Sequence, residues 1–140
     1  MPLQILLADD HAVLRQSLRA LLEREGFAVV GEASDGREAL KLARKLHPDV
    51  AVLDLPMPVL SGLDTARKMP RASPTTKTIL LTVHSEIQCI LEAFRAGIAG
   101  YVVKRRASDE LVQAIQEISQ GGTHLCPAAC RAVVQALLAK

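Results

Sequence analysis

Asp9 and Asp10 stand side by side directly after the apolar run Ile5-Leu-Leu-Ala8, and Asp54 closes a second run, Val50-Ala-Val-Leu53. Thr82 ends a third such run, and Lys104 follows a fourth, Tyr101-Val-Val103. A chain buries stretches like these and keeps carboxylates in water, so charges fixed to their tips need a reason. Gathered in one place, three carboxylates, one hydroxyl and one ammonium do not balance. Two like charges ~4 Å apart cost roughly 4 kcal/mol at an effective dielectric of about 20. One lysine cannot neutralise three acids, but a divalent cation can. A few hard oxygen ligands, with room left for water and a phosphate, suit Mg²⁺ better than a fully caged Ca²⁺. Any one of the five alone is explained as an ordinary polar strand end. All five on alternate elements are much harder to explain that way.

The elements that must position them follow from periodicity. Leu3 to Ala8 reads as a buried strand. From Val13 the period changes. Leu14, Leu18, Leu21 and Leu22 share a helical face, Arg15, Arg19, Glu23 and Arg24 fall elsewhere, and Gly26 stops the helix. Phe27 to Ala33 is a second strand. Ser34-Asp35-Gly36 is the turn and cap of a helix with Ala39, Leu40, Ala43 and Leu46 on its core face, ended by His47-Pro48. Asp49 to Asp54 is a third strand, apolar on both faces. Pro56 and Pro58 force a loop, a short helix follows Gly62, and Pro70 and Pro74 bracket another loop. Thr78 to Thr82 is a fourth strand. Ile87, Ile90, Leu91 and Phe94 mark a helix ended by Gly97, and Tyr101 to Val103 is a fifth strand.

Ser108 is expected to cap the next helix, with Asp109 and Glu110 matched to its dipole and Leu111, Val112, Ile115 and Ile118 facing the core. Gly121-Gly122 ends it. A last helix begins at Pro127 and runs toward Lys140, with Val133, Val134, Leu137 and Leu138 apolar. Strands apolar on both faces and joined by helices mean a parallel sheet covered on both sides. Such sheets bind ligands beyond the carboxyl ends of their strands, the edge where all five candidate residues fall.

At 140 residues the chain is long enough for one domain with its own core. Hydrophobic residues make up 49%, yet Trp is absent and Phe27, Phe94 and Tyr101 are the only aromatics, so the core is aliphatic. A net charge of +2 makes no case for nucleic acid. No apolar stretch approaches membrane-spanning length and no signal segment opens the chain, so a cytoplasmic protein is expected. Cys89, Cys126 and Cys130 are an odd number without framework spacing, which fits reduced thiols. His124, Cys126 and Cys130 have an untypical spacing for metal ligands and read as packing.

On Asp9-Asp10, Asp54-Leu-Pro-Met-Pro58 with Gly62, Thr82 and Gly100-Tyr-Val-Val-Lys104, the sequence resembles the receiver domains of two-component response regulators over about residues 3–121. Leu81-Thr-Val-His-Ser85, Ala96-Gly-Ile-Ala-Gly-Tyr101 and Gly121-Gly-Thr123 look most like the NarL/LuxR-type subfamily, which usually carries a C-terminal helix-turn-helix domain. The resemblance implies a flavodoxin-like, doubly wound α/β fold: a five-stranded parallel sheet of order 2-1-3-4-5 plus a C-terminal helical extension. Residues 1–122 would be the receiver and 123–140 a linker or terminal helix, in a longer transcription regulator whose DNA-binding domain lies outside this chain.

By the same resemblance, Asp54 accepts a phosphoryl group from a phosphohistidine on a sensor histidine kinase. Asp10 coordinates Mg²⁺, Asp9 contributes directly or through water, and the backbone carbonyl of Pro56 is the third protein contact. Thr82 and Lys104 take the phosphoryl oxygens. Tyr101, in itself a half-buried aromatic on an edge strand, matches an aromatic that changes rotamer as Thr82 moves inward. Phosphorylation would bias the helix 4–strand 5–helix 5 surface to control homodimerisation or a DNA-binding output domain, without membrane contact. Such a protein is a switch in a phosphorelay, not a turnover enzyme, although it catalyses its own phosphorylation and dephosphorylation.

Two departures from the family pattern carry an expectation. Pro56, two residues after the acceptor, and Val83 after Thr82 should hinder hydrolytic water and prolong the phosphorylated state. His84 follows them. His11 falls in the loop or helix start near the acids, and Arg105-Arg106 reads as a solvated loop. Two other functions compete. A haloacid-dehalogenase-type phosphatase also uses a strand-end Asp and Mg²⁺, but it needs a second acid where Pro56 stands. A receiver used only as an interaction module, without phosphorylation, would show no affinity for Mg²⁺. A nucleotide-binding module is disfavoured, because the first strand-to-helix turn lacks a glycine-rich loop.

Overall fold

The computed structural model describes residues 2–83, 87–125 and 127–139. Its strands are β1 (Gln4–Ala8), β2 (Ala28–Ala33), β3 (Val50–Asp54), β4 (Lys77–Thr82), β5 (Gly100–Val103) and β6 (His124–Leu125). Its helices are α1 (Ala12–Arg24), α2 (Gly36–Leu46), α3 (Gly62–Ala72), α4 (Ile87–Arg95), α5 (Ala107–Ser119) and α6 (Pro127–Leu138). The sheet is parallel throughout, in the order β2-β1-β3-β4-β5-β6. Its first five strands have the expected doubly wound order, and β6 extends the edge beyond β5.

Alternation along each strand divides the core into two layers. Ile5, Leu7, Val50, Val52, Ile79, Leu81 and Val102 face α1 and α5, where they meet Leu18, Leu22, Leu111, Ile115 and Ile118. Leu6, Ala8, Ala51, Leu53, Leu80, Tyr101 and Val103 face the other way, toward Ala39, Leu40, Ala43, Ala66, Met69 and Ile90 of α2, α3 and α4. Both faces are covered, so β3 is buried at every position and carries Asp54 inward with it.

Local chemistry starts and stops the helices. Asp35 accepts from the Glu38 N–H at 2.8 Å, and the Glu38 carboxylate accepts from the Ser34 N–H at 3.1 Å, a reciprocal cap for α2. Ser61 caps α3 by accepting from the Asp64 N–H at 3.1 Å. Gly26 ends α1 at φ +92°, in the left-handed region that glycine enters without strain.

Three sequence expectations are corrected. Pro70 does not open a loop. It lies inside α3, near its end, where it has no N–H to return to Ala66. Burial of Met69 and Ala72, and the Ser73 N–H bonded to the Met69 carbonyl at 2.8 Å, hold that last turn. Ser108 does not cap α5. A 3₁₀ turn over Lys104–Arg106 runs directly into the helix, and the cap position falls on Arg106 without a side-chain bond. Tyr101 is not half-buried on an edge. It is 0% exposed, because β6 pairs Gly100 with His124 and Tyr101 with Leu125.

Candidate functional site

Parallel strands bring their carboxyl ends to one rim. β1 and β3 are direct neighbours, with Ala8 beside Leu53, so the residues that follow, Asp9 and Asp54, meet there. Asp9 is 2% exposed and Asp54 0%, whereas the Asp10 side chain keeps 35% of its surface in water. Lys104, just past β5, donates from Nζ to Asp54 Oδ2 at 3.0 Å and lies 3.7 Å from Asp9 Oδ2. Thr82, the last residue of β4, is fully buried and paired in register with Val103. The rim thus unites Asp9, Asp10, Asp54 and Lys104 and sets Thr82 between the strands that carry Asp54 and Lys104.

One ammonium serves two buried carboxylates, and the shortfall is visible. Asp9 Oδ2 and Asp54 Oδ1 are both buried without a hydrogen-bond partner. Burial pushes the Asp54 carboxyl up to about 6, with the Asp9 charge adding to it and Lys104 opposing it. Ligand atoms of Asp9, Asp10, His11 and Asp54 all lie within 4.8 Å of one another. Two orphaned oxygens in an acid-rich, oxygen-dominated set fit a hard divalent cation.

His11 is the N-cap residue of α1. Its backbone N–H donates to Asp9 Oδ1 at 2.8 Å, and its ring Nδ1 lies 3.2 Å from both Asp9 Oδ1 and Asp10 Oδ1. Pro56 is exposed in the loop after β3, and Val83 is 63% exposed beyond β4. His84 lies outside the described residues. Arg105 and Arg106 are exposed, and Arg106 Nε approaches Glu110 Oε1 at 3.7 Å.

Two positioning devices escaped the sequence reading. Arg15, on the expected polar face of α1, donates from Nη1 to the Asp9 carbonyl at 2.6 Å and from Nε to Glu32 Oε1 at 3.0 Å. Arg19 bonds the other Glu32 oxygen; burial would raise that carboxyl, but Arg19 and Arg15 together hold it below its usual range. The backbone of the first acid is therefore pinned from α1 and β2. The second device is Gly62, whose added Cβ would lie 2.3 Å from the Asp54 carbonyl oxygen. The Gly62 N–H also closes the loop onto the Leu55 carbonyl at 2.8 Å. Gly62 was read as a helix start and as part of the receiver-like pattern, but nothing in a sequence shows which backbone a glycine touches.

Residues 5–116 match the response regulator receiver domain family. Response regulator GacA of Pseudomonas aeruginosa is 39% identical over 126 residues, covering 89% of this chain and 59% of that protein. Response regulator UvrY of Escherichia coli is 40% identical over 124 residues, covering 88% and 57%. The chain thus spans just under 60% of the length of these curated relatives. Among solved structures, a LuxR-family two-component response regulator from Aurantimonas superposes with a TM-score of 0.92 at 35% identity, covering 99% of both chains. The isolated receiver domain of Salmonella enterica RcsB with the phosphomimetic BeF₃⁻ gives 0.85 at 26% identity, covering 94% and 99%.

Proposed function

The chain belongs to the response regulator receiver family, and from that premise we propose that it is a phosphorylation-dependent switch with Asp54 as the acceptor. The observation that carries this reading is the buried Asp9–Asp54 pair facing a single Lys104, with one oxygen of each acid left without a donor. Lys104 occupies Asp54 Oδ2 and so leaves Oδ1 to form the bond to phosphorus as the phosphohistidine N–P bond breaks. Mg²⁺ held by Asp9, Asp10, Asp54 and the Pro56 carbonyl would offset charge on the transferred oxygens. Lys104 then shifts from the carboxylate to the phosphoryl group, with Thr82 as its second contact. Tyr101 lies buried one strand over, so a movement of Thr82 reaches the α4–β5–α5 face through packed side chains.

In this reading the protein works in the cytoplasm and its donor is a sensor histidine kinase. The output is homodimerisation, with DNA reached through a domain outside these residues. Val83 stands exposed beside Thr82, where it obstructs the approach of hydrolytic water. Intact mass after incubation with Mg²⁺ and acetyl phosphate tests the acceptor. One added phosphoryl group is expected, absent in Asp54→Asn and with chelator. No adduct at early times, even with a phosphorylated kinase as donor, would make the domain a phosphorylation-independent interaction module.

A further inference from the structure

The domain matches many of its charges internally. Arg15 and Arg19 share Glu32, and His124 of β6 lies 3.0 Å from Glu117 and 3.8 Å from Glu110. Cys126 of that segment lies outside the described residues. Helices α2 and α3 break this habit. Arg37, Lys41 and Arg44 recur at helical spacing and form one stripe on α2, and Lys68 and Arg71 form another on α3. All five are exposed, and among the described residues no carboxylate pairs with any of them. Asp35 and Glu38 are close by, but each accepts an N–H of the α2 cap, and Asp64 is paired with Arg67 at 2.8 Å.

A cleft of about 200 Å³ lies where α2, α3 and the loop after Asp54 meet. Leu40, Val59 and Leu60 supply its apolar lining, and Arg37, Arg44 and Lys68 supply three cations. Gly36 lets the loop come this close to α2, because a Cβ there would collide with the Leu60 carbonyl. A second cleft of about 330 Å³, lined also by Asp35 and Glu38, shares Arg37 and Val59 with the first and adds Lys41. The two form one elongated trough. Val59, where they join, is an exposed β-branched residue held at φ 69°, the kind of strain that collects at binding sites.

Four cations without an available carboxylate call for an anionic partner. The length and apolar lining of the trough suit an extended peptide better than a free phosphate. A nucleic-acid backbone would use the cations but leave Val59 and Leu60 in water, and no aromatic of α2, α3 or the loop offers a base a stacking face. We propose that this trough docks an acidic–apolar segment of a partner protein, whose carboxylates meet Arg37, Lys41, Arg44 and Lys68 while an apolar side chain covers Val59 and Leu60. The site uses no residue of the acid patch, so it stands apart from the phosphoryl reading.

Fluorescence anisotropy of a short labelled peptide of alternating glutamate and leucine, titrated with the full chain, tests the site. Saturable binding that weakens with salt is expected. Arg37→Glu and Lys68→Glu, both at exposed helix positions, should each weaken it about tenfold. Lys77→Glu makes the same change of charge at the far end of β4 and should leave the affinity within about twofold. Peptides with glutamine for glutamate, or serine for leucine, should bind at least about tenfold more weakly. No saturable binding overturns the proposal, as does equal weakening by Lys77→Glu or full affinity of the serine peptide. A DNA duplex that displaces the peptide at lower concentration, with the same sensitivity to Arg37→Glu and Lys68→Glu, would make the trough a nucleic-acid site and also overturn it.

Discussion

The two ends of β3 and β4 carry polar clusters of opposite character. Before the strands start, Thr76 donates to the Pro48 carbonyl at 2.7 Å, its oxygen meets the Ser73 hydroxyl at 2.6 Å, and the His47 ring reaches Ser73 at 3.2 Å. Ser73 and Thr76 are buried there, yet each is partnered. Where the strands end, Asp9 and Asp54 are buried with an oxygen each left over. Both ends also hold a residue in the left-handed region, His47 at φ 47° and Val59 at φ 69°. His47 closes α2 there, a position where the left-handed conformation is ordinary. Val59 is β-branched and 71% exposed in the loop after Asp54, without such a role. One end of the sheet is finished by its own hydrogen bonds, while the other keeps deficits that a bound cation, a proton or a covalent change removes.

The sharpest way to break this contrast is at Gly62. Gly62→Ala drives a Cβ into the Asp54 carbonyl, for an expected loss of about 3 kcal/mol in denaturant unfolding. Phosphoryl uptake should fall even in the folded fraction, because the displaced backbone is that of the acceptor.

Next come paired polar-to-neutral changes, whose signs should be opposite. Asp54→Asn, without Mg²⁺, is expected to stabilise the fold by on the order of 1–3 kcal/mol above pH 6. The sign follows from a carboxyl raised from 3.8 to about 6. The folded state binds the proton more tightly than the unfolded state does. The contribution of Asp54 is therefore full below pH 3.8 and is lost as pH rises through about 6, a slope that Asn removes. Adding Mg²⁺ should narrow the gap between the two proteins. Thr76→Val, at the finished end, should instead lose about 1–2 kcal/mol by orphaning the Pro48 carbonyl. Unfolding curves at several pH values, with and without chelator, check both. If both changes destabilise without Mg²⁺, the contrast fails.

The backbone comparison is smaller. Val59→Gly should gain about 1 kcal/mol in thermal or denaturant unfolding, as relief of strain exceeds the added freedom of the unfolded chain. His47→Gly should gain nothing, because it also gives up the bond to Ser73. Smallest of all is Val83→Ala, which should speed dephosphorylation about threefold, under 1 kcal/mol in the barrier. An equal or slower rate would rule out the steric account of Val83.

Much of this was legible because it rests on period and on strand ends. Runs such as Val50–Asp54 announce buried parallel strands, and the parallel order then forces Asp9, Asp54 and Lys104 to one rim. What stayed hidden depends on contacts between elements. Arg15 acts on a backbone carbonyl, which every residue has, so its own identity gives no hint of the partner. Pro70 looks like a breaker until Met69 and Ala72 are seen buried on either side. A two-residue strand such as β6 has too little length for any period, and without it Tyr101 looks like an edge residue.

That short strand has a consequence for how the domain keeps to itself. An open strand margin offers unpaired N–H and C=O groups to any other extended chain, and globular proteins guard against this. β5 is all apolar apart from its tyrosine hydroxyl, and α5 and α4 cover its faces but not its margin. His124 and Leu125 pair with Gly100 and Tyr101 and so cover the first half of that margin. A chain trimmed at residue 122 would keep every residue of the acid patch and lose this guard. Its weakness would show in self-association, by recruitment of a neighbour's strand, before it showed in phosphoryl chemistry.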